Sequence, residues 1–234
     1  QKADLIYRQI LSIYSEYAGS ASGLKLGDDS CKVIAFTSPC GGVGSSTMAA
    51  ACALHYAARG KRTLYLNFER FGSSDAFFAA EGQFDMSGII FALKSKKTNL
   101  SMKMESCVKQ DPRGVYFYSQ SKVALDMLEL GADEIGRLIS EARLSGNYEY
   151  VIADLEFGMD RASLQILRQA GAIVWTGDGS EISNRKLARA YQALAILEQN
   201  AEVPLTARIA LIYNKFSNKS GTAVTGTELR SIGG

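Results

Sequence analysis

Residues Thr37-Ser38-Pro39-Cys40-Gly41-Gly42-Val43-Gly44-Ser45-Ser46-Thr47 decide how this chain folds. They follow a short apolar run, Lys32 to Phe36, that reads as a buried β-strand, and they lead into an alanine-rich segment, Met48 to Arg59, that reads as a helix. Three glycines within four residues allow successive backbone N–H groups to turn inward. The dipole of the following helix adds positive potential at the same place, so the loop suits phosphate oxygens.

Compared with the phosphate-loop pattern GxxxxGK[ST], the loop has Pro39 in place of the opening glycine and Ser45 in place of the lysine. Glycine runs also serve ordinary turns, so the surroundings carry the weight. Arg62 to Phe68 reads as a second buried strand, ending at Asn67-Phe68-Glu69. Tyr148 to Leu155 is an apolar-rich run into Asp154, the Walker B pattern. In that pattern a carboxylate at a strand's C-terminal end reaches Mg²⁺ through water beside the phosphate loop. An aspartate that only caps a turn is the alternative for Asp154, and a solvated acidic loop residue is the alternative for Glu69.

Further along, helices are expected at Asp85 to Lys94, Asn99 to Val108, Ala124 to Leu130, Ala132 to Leu144, Asp160 to Ala170 and Ser180 to Asn200. Strands are expected at Val115 to Ser119, Ala172 to Thr176 and Arg208 to Tyr213. This alternation predicts an α/β fold, a mostly parallel sheet with helices on both faces and a ligand at the strands' C-terminal ends. Leu100, Met102, Met104 and Cys107 read as core positions, and Lys94, Lys96, Lys97 and Lys103 as a solvated helix end. Ahead of the first strand, residues 2 to 18 read as an amphipathic helix and Gly19 to Ser30 as a flexible linker.

The 234 residues, 47% of them hydrophobic, suffice for one large domain with a substantial core. With 26 basic and 24 acidic residues the net charge is +2, which gives no strong nucleic-acid signal. Cys31, Cys40, Cys52 and Cys107 lack CxxC spacing and His55 is the lone histidine, so free thiols and a structural histidine are expected instead of a zinc site. No run of about 18 apolar residues or signal peptide is visible, so no transmembrane segment is expected. The start at Gln1 suggests that upstream sequence has been removed.

The loop resembles the deviant Walker A loop, KGGxGK[ST], of the MinD/ParA group of P-loop ATPases. Cys40 stands where the group's signature lysine belongs and Ser45 where its Walker lysine belongs. Within the group the TadZ/CpaE branch is most similar, chiefly over Ser38 to Phe78 and Ile212 to Asn218, and the likeness extends from about residue 30 to the end. The resemblance implies a P-loop NTPase fold of the MinD/ParA type. It also implies two parts: residues 1–30 are the helix and linker left from an upstream receiver-like domain, and residues 31–234 are an atypical ATPase domain truncated at its C-terminal end.

ATP and Mg²⁺ are the implied cofactors. Cys40, Gly41, Gly42, Val43, Gly44, Ser45, Ser46 and Thr47 would hold the phosphates, and Asn214 the adenine, although an asparagine at a strand end is also an ordinary turn residue. Ser46, Glu69 and Asp154 would serve the metal, with Glu69 the candidate catalytic group, since Asn67 and Glu69 occupy the place of the group's Asp-x-Asp. Glu156 replaces a proline usual after the Walker B aspartate, and Gly72 to Phe78 matches a stretch that helps to make a dimer face.

The function the resemblance implies is a homodimeric, ATP-binding scaffold with weak or no hydrolysis. It would localise Tad/Flp pilus assembly proteins from the cytoplasm, at a cell pole or the inner face of the membrane. A slow ATPase, with Arg70, Arg185 or Lys186 substituting for the missing lysines, is the alternative. A DNA-binding or membrane-binding positioning switch is less supported, because the charge is near neutral and no amphipathic helix precedes Gly234.

Overall fold

The computed structural model describes residues 31–82, 84–96, 100–199 and 204–215. The expected helix at 2–18, the linker and the segment after Lys215 lie outside the described residues. In chain order the elements are β1 (Lys32–Thr37), α1 (Ser45–Ala58), β2 (Thr63–Asn67), α2 (Met86–Lys94), α3 (Leu100–Cys107), β3 (Lys109–Gln110), β4 (Tyr116–Phe117), α4 (Leu125–Leu128), α5 (Ala132–Leu144), β5 (Tyr150–Asp154), α6 (Arg161–Gln169), β6 (Ala172–Gly177), α7 (Glu181–Glu198) and β7 (Ile209–Tyr213).

The seven strands form one sheet in the order β3-β4-β2-β5-β1-β6-β7. All neighbours run parallel except β3 and β4, which are antiparallel. This is the α/β architecture that the alternation of strands and helices predicts.

Burial on both faces explains the unbroken apolar runs. In β1, Val33 and Ala35 enter the core on one face while Ile34 and Phe36 enter the core on the other. The same period of two sends Val151 and Ala153 of β5 one way and Ile152 the other, and Ile173 and Trp175 of β6 away from Val174. Helix α1 covers the second face through Met48, Ala49, Cys52, Ala53 and Tyr56. Its alanines allow the close approach. Tyr56 stacks on Tyr150 with ring centroids 3.8 Å apart. On the first face, α2, α3, α5, α6 and α7 supply Ile89, Leu100, Leu138, Ile166 and Leu187.

Three local results differ from the expectations. Helix α1 begins at Ser45, not Met48, because Gly44, at φ 93°, completes the chain reversal by itself. Strand β3 was missed because two residues are too short to show alternation. Helix α3 buries Leu100, Met104 and Cys107 at i, i+4 and i+7, which leaves Met102 on the opposite side, 68% exposed. Met104→Ala should therefore cost about 2–5 kcal/mol, whereas Met102→Ala should stay within about 0.5 kcal/mol. Urea unfolding of the two variants beside the parent checks this.

Candidate functional site

Parallel pairing brings the C-terminal ends of β2, β5, β1, β6 and β7 to one edge of the sheet, so the residues that follow them share a site. The glycine loop follows β1. Gly42 and Gly44 have φ of 73° and 93°, values in the left-handed region that favours glycine. Gly44 is the N-cap of α1 and supplies no capping side chain. By contrast, Asp85, Asp160 and Ser180 cap α2, α6 and α7 through side-chain oxygens. The first turn of α1 therefore receives no side-chain cap, as is also true of α5 behind Gly131, and its N–H groups are open to an acceptor.

The loop is braced by what surrounds it. Ser38 Oγ donates to the Thr176 carbonyl at 2.5 Å and accepts from the Cys40 N–H at 3.0 Å. Asn214 Nδ2 donates to the Val43 carbonyl at 2.9 Å, and Lys215 Nζ to the Gly42 carbonyl at 2.6 Å. A side chain at residue 44 would place Cβ 2.5 Å from Asn214 Nδ2, so glycine there is what lets Asn214 approach.

Cys40, at the place of the signature lysine, is buried and turned into the protein. Its thiol donates to the Ser183 carbonyl at 3.4 Å and accepts from Ser183 Oγ at 3.3 Å, which ties the loop to the first turn of α7. Ser45 has an enclosed hydroxyl without a hydrogen-bond partner.

The acidic side of the site comes from β2 and β5. Ser46 Oγ donates to Glu69 Oε1 at 3.1 Å. Asn67 accepts from the Glu69 N–H at 2.8 Å and donates to Glu69 Oε2 at 3.4 Å. Asp154 is wholly buried; Oδ2 accepts from the Tyr65 hydroxyl at 2.6 Å, while Oδ1 has no partner. Burial pushes the Asp154 carboxyl up to about 7; the Glu69 charge adds to the effect, and the Tyr65 and Ser46 hydroxyls oppose it.

An orphaned buried carboxylate oxygen beside a second carboxylate and a hydroxyl is a donor set that fits Mg²⁺, a hard cation that takes one or two carboxylates plus phosphates and waters. Among the described residues no cluster of three or more acidic, histidine or cysteine side chains forms a metal cage by itself.

The structure thus gathers residues 40–47, Glu69, Asp154 and Asn214 along one edge. Of the suggested substitute cations, Arg70 and Arg185 are each engaged by a carboxylate. Arg70 pairs with Glu156 at 3.8 Å, beside a cavity of about 180 Å³ lined also by Phe68, Leu128, Leu155 and Phe157. Arg185 pairs with Glu181 along the exposed side of α7. Sequence reasoning missed Tyr65, Ser183 and Lys215. Only Lys215 left a signal, as the residue next to Asn214 at the end of β7.

Gly72 to Phe78, matched to a dimer face, divides in two. Phe78 packs into the core against Tyr65 and Phe117, while Ser73, Asp75 and Ala76 are exposed. The four cysteines are buried free thiols, and no described helix is long and apolar enough to cross a membrane.

No family model matches the sequence, and no curated protein matches it significantly. Solved structures do match. A ParA family ATPase from Chlorobium tepidum TLS is similar at TM-score 0.65 and 17% identity, over 88% of this chain and 81% of that one. The fold is that of the MinD/ParA ATPases. The septum site-determining protein MinD complexed with Mg-ADP from Pyrococcus horikoshii OT3 is similar at TM-score 0.62 and 12% identity, over 86% and 77% of the two chains. The kinase domain of the Escherichia coli tyrosine kinase ETK reaches 0.59 and 16%, over 86% and 73%. One MinD/ParA-type scaffold therefore hosts different chemistries, and function has to be argued from the site.

The raised Asp154 value has a consequence for stability. Between about pH 4, where the unfolded carboxyl ionises, and about 7, the folded protein keeps a proton that the unfolded chain has lost. This contribution is full below that window, falls as pH rises through it and is flat above. Asp154→Asn removes the ionisation, so its stability relative to the parent should climb steadily across the window. Chemical denaturation of both proteins over a pH series checks it.

Proposed function

We propose that this chain binds Mg²⁺ and ATP and acts as a nucleotide-stabilised scaffold with weak or no hydrolysis. The observation that carries the reading is a phosphate loop with its acidic partners assembled beside it and no lysine within it. Inward backbone N–H groups and the uncapped α1 terminus suffice to hold phosphate oxygens. Acceleration of phosphoryl transfer depends more heavily on cations at the phosphates, where a single arginine finger supplies about 10³–10⁵ in rate. Binding survives that loss better than turnover does.

In this reading Ser46 and Asp154 hold the metal, directly or through water, and Glu69 turns its carboxylate toward the same place through its contact with Ser46. Bound Mg²⁺ supplies charge neutralisation on the phosphates. Asp154 must lose its proton to serve, so metal binding should weaken below about pH 7. Asn214, already bonded to the loop through one amide N–H, keeps a second N–H and its carbonyl for an adenine edge.

The wider role rests on the likeness of residues 38–78 and 212–218 to the TadZ/CpaE branch. On that basis the scaffold is a homodimer that localises Tad/Flp pilus assembly proteins on the cytoplasmic side, at a cell pole or the inner face of the membrane. Residues 1–30 belong to the junction with a receiver-like domain. The Ser46–Glu69 contact favours one second reading, a slow ATPase in which Glu69 orients water.

Titration with ATP and ADP in the presence of Mg²⁺, followed by phosphate release on the same sample, tests both readings. The scaffold predicts ATP binding that Ser46→Ala and Asp154→Ala weaken at least about tenfold, with no phosphate release above those variants. Release that Glu69→Gln abolishes would make the chain a working ATPase. Absence of binding would sink both.

A further inference from the structure

Loss of both lysines leaves the phosphate loop without a cation of its own, and Lys215 donates to that loop from the end of β7. Its backbone has φ 58°, left-handed for a residue with a side chain, immediately after Asn214, whose N–H still bonds to the Gly177 carbonyl at 2.8 Å. Lys215 thus departs from the extended conformation of β7, and its ammonium returns to the Gly42 carbonyl at 2.6 Å.

The geometry of a peptide plane gives that contact a use. In a trans peptide the C=O and the following N–H point in opposite directions, and no cis peptide occurs among the described residues. Lys215 on the Gly42 carbonyl therefore turns the Val43 N–H to the far side of the loop. Asn214 on the Val43 carbonyl does the same for the Gly44 N–H. The two donors that β7 does not occupy are aligned by the two contacts that it makes. An ammonium on the carbonyl end of a peptide also polarises it, so the N–H at the other end becomes a stronger donor to an anion.

We infer that Lys215 is a positioning residue for polyphosphate binding, standing in for the absent loop lysines by acting through the Gly42–Val43 peptide. It need not touch the ligand. The inference rests on the nucleotide-binding reading above and deepens it by naming the source of positive charge.

The test uses the full chain with Lys215→Met, which keeps the apolar stem and removes the charge, and Lys215→Arg, which restores a donor. Calorimetric titrations with ATP and with inorganic tripolyphosphate, both with Mg²⁺, are compared alongside the unliganded melting temperature. The expected result is a loss of about tenfold or more for both ligands in Lys215→Met, through lost alignment and polarisation of the Gly42–Val43 peptide, with substantial recovery in Lys215→Arg and at most a small drop in melting temperature because the contact is exposed.

Equal affinities in the parent and Lys215→Met would overturn the inference. So would a loss confined to ATP, or a parent that binds ATP but not tripolyphosphate, since either result puts the effect at the base end of the nucleotide. A parent that binds neither ligand would instead remove the nucleotide-binding reading itself.

Discussion

The arrangement of this molecule depends on β1 being paired in parallel on both sides, with β5 at one edge and β6 at the other. Those two ladders set Phe36 beside Asp154 and Thr37 beside Trp175. They thereby fix where the chain emerges into the glycine loop and which neighbours it meets. A parallel neighbour cannot be reached through a tight turn, so the parallel strands are joined by crossovers and their C-terminal ends fall on one side. The same pairing that buries an apolar strand on both faces thus delivers Ser46, Glu69, Asp154 and Asn214 to a common edge.

That edge holds a carboxylate at some cost. Asp154 lies within the sheet's buried layer and accepts from Tyr65 at Oδ2, which leaves Oδ1 without a hydrogen bond. Burying a carboxyl this way disfavours its charged form, and a protein designed for stability alone would place a neutral residue there. The neighbouring Glu69 charge deepens the conflict. The proposed cation would relieve burial and repulsion together.

The fold was largely legible in the sequence because its central strands are buried on both faces and so appear as unbroken apolar runs. The loop was legible because three closely spaced glycines between such a run and an alanine-rich helix have few other uses. Less legible was anything decided by a side chain's direction. Cys40 could have faced the ligand as readily as the core; its contact with Ser183, 143 positions away, leaves no trace in local spacing. Met102 looked like core on composition, and only the register of α3 distinguishes it from Met104. Arg70 looked free for the same reason, because Glu156 is brought close by the sheet and not by the sequence, whereas Arg185 has its partner four residues away at Glu181, a spacing the sequence does show.

The bracing of the glycine loop has a thermodynamic consequence. Two of its carbonyls, one hydroxyl and one thiol are secured to β6, α7 and the residues after β7. A glycine-rich segment ordinarily surrenders more conformational entropy than any other when it is ordered, and a binding site assembled from loose glycines would charge that loss against every ligand. Here the loss has already been met during folding, with the free energy of the core behind it. In the proposed reading, occupancy then requires little rearrangement of the loop, and affinity is retained without a lysine in it.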